Sequence, residues 1–243
     1  GQNFGWQSTF LGVVALGVIG FIASAILVPA NLTKAASAGI KAQLQVLTSP
    51  RLLLVYLITA VGYGGNFIAF TFLAPMLNEV TGLSAGAISL VLLLYGASVA
   101  VGNIAGGKLA DRIGAVASLT VIFAGLAISL VALGAFLTSP IAAIAVAAFW
   151  GGFAFANVPP LQSYVVQIAR EVSPGAVDVA SGLNIGAFNL GIAGGAWAGG
   201  LVVEGIGLAA APYIAAGVVV VGIVLVRLSG RLNTTSSQAV AAE

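Results

Sequence analysis

Cysteine and histidine are absent from the 243 residues, and methionine occurs once. The chain therefore has no thiolate or imidazole to hold a metal, no disulfide, and no Ser–His or Cys–His pair to activate a nucleophile. Charge is almost as scarce. Eight Lys and Arg and six Asp and Glu amount to 6% of the residues, against roughly a quarter in an average soluble domain. A net charge of +2 is too small for a nucleic-acid partner, and the basic residues have a different use, set out below. The opening GQNFGWQSTF has neither an initiator Met nor a basic stretch, so it does not read as a signal peptide. With no metal ligands, no Ser–His pair and no paired carboxylates inside apolar segments, an intramembrane enzyme is not expected, and neither is a cofactor. A channel would carry a charged ring or a carbonyl filter sequence, and neither is found.

What remains is hydrocarbon. The hydrophobic fraction is 60% and the mean hydropathy is +1.15. A bilayer core about 30 Å thick asks for roughly 20 apolar residues per helix. Seven apolar runs reach that length, approximately 8–28, 52–77, 84–105, 116–137, 141–168, 179–203 and 208–228, uncharged except for Arg227 near the end of the last. They are too long for barrel strands and lack period-two alternation, so the sequence predicts an all-α polytopic membrane protein. Threading the spans puts all eight basic residues, Lys34, Lys41, Arg51, Lys108, Arg112, Arg170, Arg227 and Arg231, on one side. Glu79 and Glu204 fall on the other. The excess of Lys and Arg assigns the basic side, and with it the C-terminus, to the cytoplasm.

Between the first two spans, 30–51 forms the longest connection. Leu32, Ala36, Ile40, Leu44 and Leu47 recur at spacings of four and three, which suits a short interfacial helix; a flexible linker is the alternative. The short external loops make successive spans of 52–228 antiparallel neighbours, a six-helix bundle. The polar end, 229–243, reads as a disordered tail.

Three charges crowd into GKLADRIG at 107–114. Gly107 and Gly114 permit a tight turn, while Asp111 can accept from unpaired helix-end N–H groups. On residues alone this could be a topology-setting turn and nothing more. The segment also resembles the cytoplasmic loop motif G-x-L-A-D-R-x-G of the major facilitator superfamily. LAPMLNEVTGLSAGAISLVLLLYGASVAVGN, WGGFAFANVPPLQSYVVQIA and SGLNIGAFNLGIAGGAWAGG are similar to the second half of its twelve-span drug and sugar efflux members. GWQSTFLGVVALGVIGFIASAILVP resembles the sixth helix. The resemblance, over roughly 4–228, implies the sixth helix (1–29), the central cytoplasmic loop (30–51) and the C-terminal six-helix bundle (52–228), with an N-terminal half as partner. It implies an exporter of a small organic solute in a bacterial inner membrane, driven by proton entry. It also implies gating roles for Gly107, Asp111, Arg112 and Gly114, the Asp pairing with a neighbouring helix end and the Arg joining a charge network. Ala115, Val116 and Ala117 replace the basic residues that follow a full copy of the motif, so the anchoring should be weaker. A facilitator or importer of sugars or nucleosides, or a structural membrane protein, remains open at this point.

Polar side chains inside the spans mark pathways or interhelical bonds. Tyr63, Asn66, Phe67 and Phe70 share one helical face and form a candidate cavity wall. Gln162, in FANVPPLQ, lies beside two prolines that predict a break, each removing a backbone donor. Asn184 and Asn189 are five apart, about 140° around a helix. Asn184 is expected to line a cavity, and Asn189 to bond a packed neighbour. Gly191, Gly195 and Gly199 repeat at spacing four and predict close helix packing. Tyr95 and Asn103 read as packing residues. No Asp, Glu, Lys or Arg lies deep in a span, so a coupling carboxylate is expected outside this sequence.

Overall fold

The computed structural model describes residues 6–28 and 39–241 and falls into two units, 1–37 and 38–243. In the first unit, α1 (Trp6–Leu27) is a helix of 22 residues without a charge. Lys34, Leu32 and Ala36, invoked above, lie outside the described residues.

The second unit is a helical bundle. Its elements are α2 (Ile40–Thr48), α3 (Pro50–Ile58), α4 (Gly64–Phe70), the single turn α5 (Leu73–Pro75), α6 (Ala85–Ile113), α7 (Ala115–Phe136), α8 (Pro140–Ala154), α9 (Val158–Val172), α10 (Val177–Gly205) and α11 (Ala211–Ala241). Wide π turns at Thr59–Tyr63 and Met76–Val80 interrupt the run from α3 to Val80. Among the described residues, seven helical segments are long and apolar enough to cross a membrane. They coincide with the seven runs read from the sequence, and the protein is an integral membrane protein of the all-α class. Outward-facing Leu90, Leu93, Ile141, Leu190 and Trp197 are at least two-thirds exposed, as expected of side chains whose solvent is lipid.

Hydrophobic burial cannot drive helices together in lipid, so close contact has to come from small residues. Gly64 of α4 sits against the backbone of Gly191, where a Cβ would meet the carbonyl oxygen at 2.6 Å. One and two turns on, Gly195 sits against the Gly64 carbonyl and Gly199 against that of Ile68. Gly64, Gly191, Gly195 and Gly199 form the α4–α10 seam. On the other side of the bundle, Gly102 and Gly106 of α6 leave no room for a Cβ beside the carbonyls of Gly152 and Ala156.

Three expectations are corrected. First, GKLADRIG is not a turn: α6 continues through it to Ile113, and the joint to α7 is Gly114 alone, at φ +79°. That left-handed conformation suits glycine. Gly107 lies inside the helix, 3.7 Å from the Pro159 side chain when a Cβ is added, so it makes no turn. Second, the polar end read as disordered is helical through Ala241, because α11 runs on past the apolar span. Third, the break expected in FANVPPLQ is present, but the prolines at 159 and 160 do not themselves make it. The fifth span breaks at 155–157, and both prolines fall in the first turn of α9, where no intrahelical donor is lost. In α2 the buried residue is Val46, while Ile40, Leu44 and Leu47 are exposed.

Candidate functional site

Within the bundle, the π turn at Thr59–Tyr63 widens the helix just before Gly64 and so sets the rotation of Tyr63, Asn66, Phe67 and Phe70. Such widened turns recur at functional sites. The four residues come together as the spacing predicts. Tyr63 and Phe67 have ring centroids 5.1 Å apart, and Phe67 and Phe70 5.6 Å. Rings from three other helical segments complete the group. Tyr95 of α6 stacks on Phe70 at 5.2 Å, and Trp150 of α8 meets Tyr95 edge-on at 5.2 Å. Phe155, in the break, and Phe188 of α10 approach Tyr63 at 5.5 and 4.8 Å.

Asn66 is fully buried, and its Oδ1 accepts a hydrogen bond from Trp150 Nε1 at 2.7 Å. Its Nδ2 and the Tyr95 hydroxyl are buried and interact with each other short of a full hydrogen bond. An unmet buried polar atom is costly, more so where no water competes, and marks a place that a ligand group can improve. Tyr63 and Phe67 are almost buried, and Phe70, Phe155 and Phe188 are half-buried, so one side of the ring cluster is open.

A second polar element crosses three segments. Thr59 Oγ1 donates to Asn184 Oδ1 at 2.7 Å, and Asn184 Nδ2 donates to Gln162 Oε1 at 3.0 Å. Thr59 and Asn184 are fully buried, whereas Gln162 is half-buried and lines a surface groove with Pro159, Ser163 and Val166. The groove volume is about 750 Å³. The break that frees Gln162 is closed locally: Asn157 Nδ2 donates to the Ala154 carbonyl at 3.2 Å, leaving its own Oδ1 buried and unmet.

Asn189 is a correction. It is exposed, and its Nδ2 donates to the Ile185 carbonyl of its own helix at 2.9 Å, so it bonds no packed neighbour. The packing contacts of α10 belong to the face of Gly191, Gly195 and Gly199, about 80° to 160° away from Asn189 in helical register.

At the basic end, Asp111 and Arg112 are exposed, and neither makes an ion pair among the described residues. The charge network there runs elsewhere. Arg51 pairs with Glu171 at 2.5 Å through Nη2 and donates from Nε to Asn233 Oδ1 at 2.8 Å. Asn233 Nδ2 donates to the Tyr164 hydroxyl, which shares a hydrogen bond with Ser229, both at 2.7 Å. Arg51, Glu171 and Asn233 thus latch the start of α3 to the end of α9 and to the later part of α11. Sequence reasoning missed this network, and it missed Thr59, Trp150, Phe155 and Phe188; the residue types were visible but their partners lie on other helices.

The sequence profile of the Major Facilitator Superfamily matches residues 1–177. The chain belongs to that superfamily. Among curated proteins, it is 46% identical over 197 residues to "Uncharacterized MFS-type transporter YtbD" of Bacillus subtilis, covering 81% of this chain and 50% of the relative. It is 35% identical over 198 residues to "Inner membrane transport protein YdhP" of Escherichia coli K12, covering 82% and 49%. YfhI of Bacillus subtilis, also described as an MFS-type transporter, is 33% identical over 201 residues, covering 81% and 48%. The chain spans about half the length of the curated relatives it matches. GKLADRIG is the charged end of α6; the ring cluster draws Tyr95 from that helix, whereas the Thr59–Asn184–Gln162 chain joins the π turn, α10 and α9.

Proposed function

We propose that this chain is part of a secondary active transporter that exports a small, moderately polar organic solute through the bacterial inner membrane by proton antiport. Alternating access would rock this bundle against an N-terminal half, with the C-terminus in the cytoplasm. Superfamily membership and relatives named as transporters support the transport reading. The observation that carries the solute class is the pairing of an open-sided ring cluster with uncharged hydrogen-bonding groups. The half-buried Phe70, Phe155 and Phe188 offer apolar faces at the open side of the cluster, while Gln162 is the accessible end of a buried chain that runs through Asn184 to Thr59. Such a wall suits a flat or aliphatic solute with amide, hydroxyl or carbonyl groups.

The partner half has a natural seat. On α10, Gly182, Gly186, Asn189 and Ala193 are exposed and small, which permits close approach of another helix. Asp111 and Arg112 are exposed at the basic end and free to engage that half in one state of the cycle. Proton coupling would require an ionisable group at depth, and every acidic residue described in this bundle sits near a helix end. The coupling carboxylate is therefore assigned to the partner half.

The test is solute flux in inverted vesicles carrying the intact transporter, with a pH gradient imposed and then collapsed. Accumulation that follows the gradient supports antiport. Equilibration indifferent to it establishes the second reading, a facilitator.

A further inference from the structure

A cleft of about 720 Å³ opens at the basic end between α7, α9 and α11, away from the ring cluster. Its walls include Val116, Thr120, Tyr164, Glu171, Arg227 and Asn233. A smaller recess beside it, about 370 Å³, is lined by Val116, Arg227, Gly230 and Arg231. Arg227 Nε donates to Thr120 Oγ1 at 3.1 Å, which holds the guanidinium over the opening while using one of its five N–H groups. Arg231 follows one turn later on the same face of α11. The acid in the cleft, Glu171, is already paired with Arg51.

We propose that this cleft binds the phosphate of an anionic phospholipid, with Arg227 and Arg231 as the cations that face it. Guanidinium groups match phosphate oxygens in geometry as well as charge. The choice of a lipid over a free phosphate rests on what lies along the rest of that face. Val220, Val224, Arg227 and Arg231 are spaced four, three and four apart, and the two valines are exposed by 48% and 60%. Val121 of α7 is also exposed and lies close to the cleft wall formed by Thr120. An acyl chain can run along the valines while its headgroup sits on the arginines. Basic recesses between spans on the inner face are where anionic headgroups lodge. Gly230 shapes the recess, because a Cβ there would meet the Val116 side chain at 2.8 Å.

Native mass spectrometry of the intact protein tests this with three probes: dioleoylphosphatidylglycerol, dioleoylphosphatidylcholine and inorganic phosphate. The expected result is retention of phosphatidylglycerol over phosphatidylcholine, falling about fivefold for each arginine lost in R227Q and R231Q. K108Q, which removes an exposed cation at the same end, should leave the preference unchanged, and R227K should weaken it less than R227Q. If one of the two variants does not fold, the other gives its own reading. An unchanged preference in R227Q and R231Q overturns the proposal, as does an equal fall in K108Q. Competition by inorganic phosphate at equal concentration would also overturn it, since the site would then take a free anion.

Discussion

Asn184 is fully buried with an acceptor bond from Thr59 and a donor bond to Gln162, so its removal strands a hydroxyl on one side and an amide on the other. Interhelical hydrogen bonds in membranes are worth about 0.6 to 2 kcal/mol. Asn184→Leu is therefore expected to lower unfolding free energy by about 1 to 2 kcal/mol, read by reversible unfolding in bicelles. Asn189→Leu, exposed and bonded only to its own helix, should change it by less than about 0.5 kcal/mol. Equal effects would contradict the assignment of the buried chain. Helical spacing separates these two asparagines by angle, yet it does not say which of them meets a neighbour. Which face of α10 turns inward is decided by the glycines that let α4 approach, a fact about two helices at once. For the same reason Tyr63, Asn66, Phe67 and Phe70 were legible as a set, because one helix carries them. Trp150, the partner of Asn66, was not.

Between elements, glycine positions divide sharply. Gly102 and Gly106 have carbonyls of the fifth span where a Cβ would go, whereas Gly86 and Gly96 of the same helix have open space. G102A and G106A are expected to push α6 from α8 and α9 and to cut folded yield severalfold, measured by fluorescence-detected size exclusion. G86A and G96A should fold as well as the parent, or slightly better, since alanine is favoured over glycine in a helix by about 1 kcal/mol. The break at 155–157 gives a second contrast. Because Pro159 stands in the first turn of α9, P159A should shift stability by no more than about 1 kcal/mol and should not fuse α8 with α9. A double proline in an apolar run announces an interruption, but the sequence does not say on which side of the prolines the helix stops. Here the interruption precedes them, where the Phe155 carbonyl accepts from the Val158 amide, the Asn157 carbonyl from the Leu161 amide and the Ala154 carbonyl from Asn157 Nδ2.

For the molecule as a whole, the described basic residues gather toward one end. Arg51 bonds residues of α9 and α11, and Arg227 bonds the start of α7, so the threading read from Lys and Arg follows a geometry that side chains close across. Modification of Lys41 and of a cysteine placed at Arg112 by an impermeant reagent should occur from the same face of sealed vesicles; opposite faces would refute the threading. The seven spans were legible because hydrocarbon thickness sets their length, whereas the latch at the basic end was not, since its members are scattered from 51 to 233. Arg51 and Glu171 are about a quarter and two-fifths exposed, so their pairing is worth at most about 1 kcal/mol. Asp111 makes a different case. Asp111→Ala in the intact transporter is expected to lower solute flux severalfold while leaving folded yield near that of the parent. Parallel losses in the two measurements would reduce the motif to a structural end.

Arg51 and Asn233 are 182 positions apart in the chain. A ribosome adding about 5 to 20 residues per second separates their synthesis by about 9 to 36 s. Throughout that interval the newborn bundle sits in the bilayer with its basic rim unfastened, and the final turns of the last span act as the clasp. A protein shortened just before Asn233 would insert all its spans yet stay in that nascent condition.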